Sequence, residues 1–237
     1  AKLERAGVCA ITWHDAEYPD TLKEIFNPPP VLFLKGAIED GDRRAVAVVG
    51  TRRTTACGRE TCATLVRELA RAGVTIVSGL ARGIDGIAHR AALDAGGRTV
   101  AIMGSGVDVV YPPEHAGLAQ QAAESGALVS EHPLGTRPNA QNFPRRNRLL
   151  SGFSLGVLVV EAAHDSGAMW TVRPAVDQNR DVFAVPGSIF PPGSRGPNRL
   201  IQDGAKLVLD HTDILQELNL STVERQATLP GLGEAMP

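Results

Sequence analysis

The chain has 237 residues, 43% of them hydrophobic, and a formal net charge of −2. That length accommodates one large α/β domain with short extensions, and the apolar share excludes a disordered chain. The near-zero charge excludes a globally basic nucleic-acid binder. No apolar run reaches the roughly 18 residues of a membrane helix; the longest, Leu155 to Ala163, is strand-sized and interrupted by Glu161.

Residues 1–12 lack the basic flank and long apolar stretch of a signal peptide. The first residue is Ala1, so a processed chain or one cut from a longer protein is expected. Cys9, Cys57 and Cys62 form no CxxC pair, and the six histidines form no HExxH motif. No disulfide framework, metal or other cofactor is therefore expected, and reducing cytoplasm is the natural compartment.

In chain order, residues 1–40 read as a partial N-terminal extension and linker. Asn27-Pro28-Pro29-Pro30 is a rigid connector into a short strand, Val31–Leu34, that ends at Gly36. Residues 41–218 then alternate between apolar strands and helical spacing. Strands are expected at Ala45–Gly50, Thr75–Leu80, Arg98–Gly104, Leu128–Glu131, Leu155–Ala162, Asp181–Pro186 and Lys206–Leu209. Helices are expected at Gly58–Ala72, Gly83–Ala95, Glu114–Glu124, Asn147–Gly152, Ala168–Gln178 and Asp213–Leu218, with Pro174 kinking the fifth or shifting its start. Residues 219–237 read as a tail or linker. Near-continuous apolar strands alternating with helices predict a mostly parallel sheet covered on both faces. Ligands of such sheets bind outside the carboxyl ends of the strands, at the switch point.

The candidate site residues fall at those strand ends. VGTRRTT places Gly50 in a tight turn before a helix N-terminus, with Thr51, Arg52 and Arg53 available to an anion. SGLARGID repeats the arrangement with Ser78, Gly79 and Gly83; its Asp85 is read as a helix cap rather than as a catalytic partner of His89. GSGVDVVYP contributes Gly104 and Gly106 but lacks the third glycine of a dinucleotide fingerprint, and no GxxxxGK[ST] occurs. Ser166 and Gly167 open another helix N-terminus.

No acid occurs from Arg43 to Arg59 or from His132 to Val160, so both arginine-bearing stretches can hold a local positive field. The second contains FPRRNRLLSG, where Phe143, Arg145, Arg146, Asn147 and Arg148 combine an aromatic face with cations. Flexible single strands are bound by that pairing of stacking and backbone contacts. The bland alternative buries Phe143 and pairs the arginines with Glu131 and Glu161.

Taken together, VGTRR, SGLARGID with AHRAAL, IMGSGVDVVYP, LVSEHPLG, NFPRRNRLLSG, VLVVEA with SGA, VFAVPGS and GPNRLIQDGA resemble the DNA-processing protein A (DprA/Smf) family from about Trp13 to Leu218. The resemblance implies an extended Rossmann fold and a homodimer that binds and protects single-stranded DNA without catalysis. It also implies loading of RecA recombinase during natural transformation, with single-strand-binding protein as a further partner. Pro113 stands where many relatives carry a base, and Trp170 and Pro174 are unusual for the family. The flanking helical and winged-helix domains of some members do not fit in this length. The rival reading is a nucleotide-processing enzyme of the phosphoribohydrolase kind, with Glu161 as its acid; a nucleotide-responsive regulatory subunit is a third. The segment Asp213–Leu218, with Ile214, Leu215 and Leu218, is the expected dimer contact.

Overall fold

The computed structural model describes residues 2–220. Nine strands form one sheet: β1 (Cys9–Thr12), β2 (Val31–Gly36), β3 (Ala45–Val49), β4 (Thr75–Ser78), β5 (Thr99–Ile102), β6 (Ala127–Ser130), β7 (Gly156–Val159), β8 (Asp181–Ala184) and β9 (Lys206–Leu207). Their spatial order is β1-β2-β6-β5-β4-β3-β7-β8-β9. The pairs β1–β2 and β2–β6 are antiparallel, and the rest are parallel. The helices are α1 (Lys2–Arg5), α2 (Asp20–Lys23), α3 (Ala56–Arg71), α4 (Ile84–Asp94), α5 (Ala116–Glu124), α6 (Asn142–Phe153), α7 (Met169–Asp177), α8 (Pro192–Gln202) and α9 (His211–Glu217). This is the expected Rossmann-like α/β architecture.

Strand side chains alternate between two cores because successive Cβ atoms point to opposite faces. Ala45, Ala47 and Val49 of β3, with Val157 and Val159 of β7, pack under α6, α7 and α8 through Leu149, Leu150, Phe153, Val172 and Leu200. Val46, Val48 and Leu158 pack on the opposite face against Leu65, Val66 and Leu69 of α3 and Ile84 and Ala88 of α4. Burial on both faces explains why these strands read as continuous apolar runs.

The segment read as an extension supplies β1 and β2 to the same sheet, and Leu22, Ile25, Leu32 and Leu34 to the first core. The helix expected at Asn147 begins at Asn142 instead. Pro144 lies in its first turn, where a missing N–H removes no intrahelical bond. Pro174 sits inside α7 without ending it. The helix expected from Glu114 opens as a 3₁₀ turn, Pro113–His115, before α5. Ile214 and Leu215 are buried beneath α9 in the core shared with α3, so the surface expected to join two copies faces this chain's own interior. Of the expected tail, residues 221–237 lie outside the described residues.

From β3 the chain steps outward through β4, β5 and β6, then returns to place β7 on the other side of β3. The β3–β7 boundary is therefore the switch point, and the turn after β3 faces the crevice. Gly83 helps to hold that turn. Its φ is +77°, and a Cβ there would strike the Thr51 carbonyl and lie 2.7 Å from Arg52 Cα. The Ile84 amide completes the contact by donating to Thr51 O at 3.1 Å.

Candidate nucleic-acid interface

A cleft of about 760 Å³ opens at this switch point. Its floor is the Gly50–Arg53 turn, one wall carries Tyr111 and Phe143, and the other carries Ser166, Gly167 and Trp170. Tyr111 and Phe143 form a tilted aromatic pair, ring centroids 5.8 Å apart and planes at 42°. Gly104 lets the Phe143 ring settle against the backbone, since a Cβ there would lie 2.9 Å from Cδ1. Phe143 is only half-buried, and Tyr111 is 41% exposed, so both keep ring surface open to the cleft.

The arginines divide into distinct groups. Arg52 and Arg53 are exposed on the cleft floor, and no carboxylate forms an ion pair with either among the described residues. Arg145 is exposed but lies off the cleft lining. Arg148 is held by Glu131, with nitrogen–oxygen distances of 2.6 and 3.3 Å. That is the pairing anticipated by the bland alternative.

Arg146 corrects the expectation of a free phosphate ligand. It is 4% exposed and donates through Nη1 to Gly79 O at 3.0 Å and to Ile102 O. Beside it, Asp85 is 8% exposed and accepts from the Gly79 amide at 3.1 Å and the Ala81 amide at 3.4 Å. Burial pushes the Arg146 guanidinium down to about 10, opposed by Asp85. Burial raises the Asp85 carboxyl, opposed by Arg146 and by the two amides. The pair is an internal strut that joins α6 and α4 to the ends of β4 and β5. Arg146 and Asp85 also line the cleft, with the buried Asn147 among the same lining residues.

Asp85 makes no bond to His89. The His89 Nδ1 instead meets Thr99 Oγ1 at 2.7 Å. Burial, then the charges of His115 and Arg146, push the His89 imidazole down to about 3. An unfolded chain takes up this proton near pH 6.5, whereas the folded chain resists until about pH 3. The stability from neutral His89 is thus full above pH 6.5 and is lost as pH falls toward 3. A His89→Gln variant is expected to start less stable at pH 7.5 and to lose less on acidification. Urea midpoints measured from pH 7.5 to 4.5 check this, and parallel losses would contradict it.

Two of the expected anion sites are already filled by the protein's own carboxylates. At the start of α3, Thr55 Oγ1 caps the Gly58 amide at 3.0 Å, and the Thr55 amide donates to Glu161 Oε2 at 3.0 Å. Glu161 is 7% exposed and wedged between Gly58 and Gly193. An acid from the end of β7 therefore occupies the position that phosphate takes in a dinucleotide-binding α/β protein. At the next turn, Asp85 takes the Gly79 and Ala81 amides. The expectation of unpaired amides at these two turns is corrected accordingly. A Glu161→Ala variant is expected to lose about 2–4 kcal/mol, the cap and the packing together, measured by chemical denaturation. A change below ~0.5 kcal/mol would show that the carboxylate does not hold the turn.

The remaining candidates sit deeper or farther away. Ser78 is fully buried and donates to Val48 O at 2.7 Å, so it is not a rim residue. Gly79 lies under the Arg146–Asp85 pair, and Gly83 and Gly104 support the turn and Phe143 respectively. Gly106 packs near Asp108 and Pro133, off the cleft lining. At the start of α7, the Gly167 and Ala168 amides have no acceptor among the described residues, so one open helix N-terminus does face the cleft. Sequence reasoning missed Tyr111 as a site residue. Its signal was an aromatic in the connection between β5 and α5, just before the Pro112-Pro113 pair.

An open, mostly parallel sheet covered by helices, with a crevice at its switch point, defines a protein of the Rossmann-like α/β class. Within that class, the chain belongs to the DNA recombination-mediator protein A family, which it matches over residues 9–219. It is 44% identical over 219 residues to the DNA processing protein DprA of Bacillus subtilis, covering 92% of this chain and 74% of that one. It is 48% identical over 202 residues to the Smf protein of Escherichia coli, covering 85% of this chain and 54% of that one. The chain thus spans about half of the Escherichia coli relative.

Among solved structures, DprA from Streptococcus pneumoniae superposes with a TM-score of 0.85 at 41% identity, covering 88% of this chain and 74% of that one. DprA from Helicobacter pylori, described for its single-stranded DNA binding mode, superposes at 0.79 with 30% identity, covering 89% of this chain and 95% of that one.

Proposed function

We propose that this chain binds single-stranded DNA in the switch-point cleft and acts as a binder rather than a catalyst. The observation that carries the reading is the cleft itself. Arg52 and Arg53 stand exposed on its floor beside the Tyr111–Phe143 pair, without an ion-pair partner among the described residues, and the open start of α7 adds backbone donors. Cations supply sequence-independent phosphate contacts, and aromatic faces accept any base. The single-stranded DNA binding mode described for the Helicobacter pylori relative supports the same ligand.

Residues 41–218 would supply the DNA-binding cleft, with residues 1–40 extending the same sheet through β1 and β2 and 219–237 a tail or linker. The family resemblance further supports cytoplasmic homodimers that protect incoming DNA and hand it to RecA, with single-strand-binding protein as a further partner. The phosphoribohydrolase alternative needs an available acid. Glu161 is engaged by the Thr55 amide and is not part of the cleft lining, which favours the binder.

Labelled oligo-dT titrated at several salt concentrations tests this reading. Affinity is expected to fall with salt, by about 0.7 log unit per log unit for each neutralised phosphate, with no release of base from nucleotides. Salt-insensitive binding, or turnover of a nucleoside monophosphate, would overturn it.

A further inference from the structure

We propose that Trp170 is a second base-stacking surface, so that the cleft grips a single strand from both walls. This rests on the single-stranded DNA reading above and deepens it.

Trp170 is the second residue of α7. Its neighbours Thr171 and Val172 turn inward, 1% and 8% exposed, while the indole is left 64% exposed. It is not a stray surface aromatic, because it lines the same cleft as Tyr111, Phe143 and the arginine turn. The topology separates the two aromatic walls. Tyr111 follows β5 and Phe143 opens α6, whereas Trp170 follows β7, and β3 with its Arg52–Arg53 turn lies between β5 and β7 in the sheet. A cationic floor is thus flanked by aromatic surface on both sides. A strand whose phosphate rests on the turn would present one base to each wall. An indole is the largest π-face available for this and tolerates every base. The occupant implied is a nucleobase of a flexible strand. A duplex, with its bases paired and stacked inside, offers no free face to the indole.

The test uses the full 237-residue chain carrying Trp13→Phe, which leaves Trp170 as its one tryptophan. Oligo-dT is added while Trp170 emission and the anisotropy of a labelled oligonucleotide are followed together. Saturable quenching that tracks anisotropy is expected. Trp170→Ala is expected to weaken oligo-dT binding on the order of tenfold, with Trp170→Phe recovering most of the loss. An abasic deoxyribose-phosphate oligomer is expected to bind wild type and Trp170→Ala alike. Saturable anisotropy with unchanged Trp170 emission would overturn the proposal and leave single-stranded DNA binding standing. An equal loss on the abasic oligomer would also overturn it, since the residue would then act through the fold. No oligo-dT binding by wild type would overturn both readings.

Discussion

Arg146→Ala is expected to destabilise the protein by about 3–5 kcal/mol, because it strands a buried carboxylate. The guanidinium stands near Asp85 and donates to Gly79 O and Ile102 O, so its loss takes a donor from two carbonyls and leaves the Asp85 carboxylate held by the Gly79 and Ala81 amides without its buried counter-charge. Asp85→Asn introduced with Arg146→Ala removes both charges and is expected to recover at least half of the loss, since a neutral pair has no buried ion to compensate. Urea denaturation of the two single variants and the double variant measures the coupling. Additive losses would mean that the two groups do not depend on each other. A near-neutral Arg146→Ala would mean that the guanidinium is not the strut described above.

Arg52→Glu is expected to weaken oligo-dT binding by more than a hundredfold at low salt while leaving the urea midpoint nearly unchanged. Arg52 is exposed on the cleft floor and has no ion-pair partner among the described residues, so its side chain is expected to add little to folding. On the proposed reading the substitution replaces a phosphate contact with a charge that repels the strand from the cleft lining. Arg145→Glu, on the same arginine-rich segment but off the cleft lining, is expected to have a much smaller effect. Fluorescence anisotropy on both variants checks the contrast. Equal losses would show that general surface charge, rather than the turn after β3, governs binding.

The difference between those two arginines shows where the sequence was legible and where it was not. The strands from β3 to β8 were readable because burial on both faces turns them into apolar runs, and the rim positions followed from strand ends. Arg52 was readable as a cation at such an end, and Phe143 as an aromatic beside cations in an acid-free stretch. The separate fates of Arg145, Arg146 and Arg148 were not, because they depend on residues distant in the chain. Gly79, Asp85 and Ile102 engage Arg146, and Glu131 engages Arg148. The expected helix began only at Asn147, which left 145 and 146 outside it and without a helical phase. A proline in the first helical turn leaves the helix intact, so the start at Asn142 was lost. The role of Glu161 was similarly hidden, since its partner Thr55 lies 106 residues earlier. Trp170 was visible as an oddity only; its cleft-facing position came from the turn that begins α7.

The proposed function places a single strand in the β3–β7 crevice. Photo-cross-linking with oligo-dT carrying 5-iodouracil, followed by peptide mapping, tests it most directly. Cross-links are predicted at Tyr111, Phe143 and Trp170, abolished together by excess unlabelled oligo-dT. Cross-links confined to the β1–β2 edge or to α9, with those three residues unmodified, would contradict the claim.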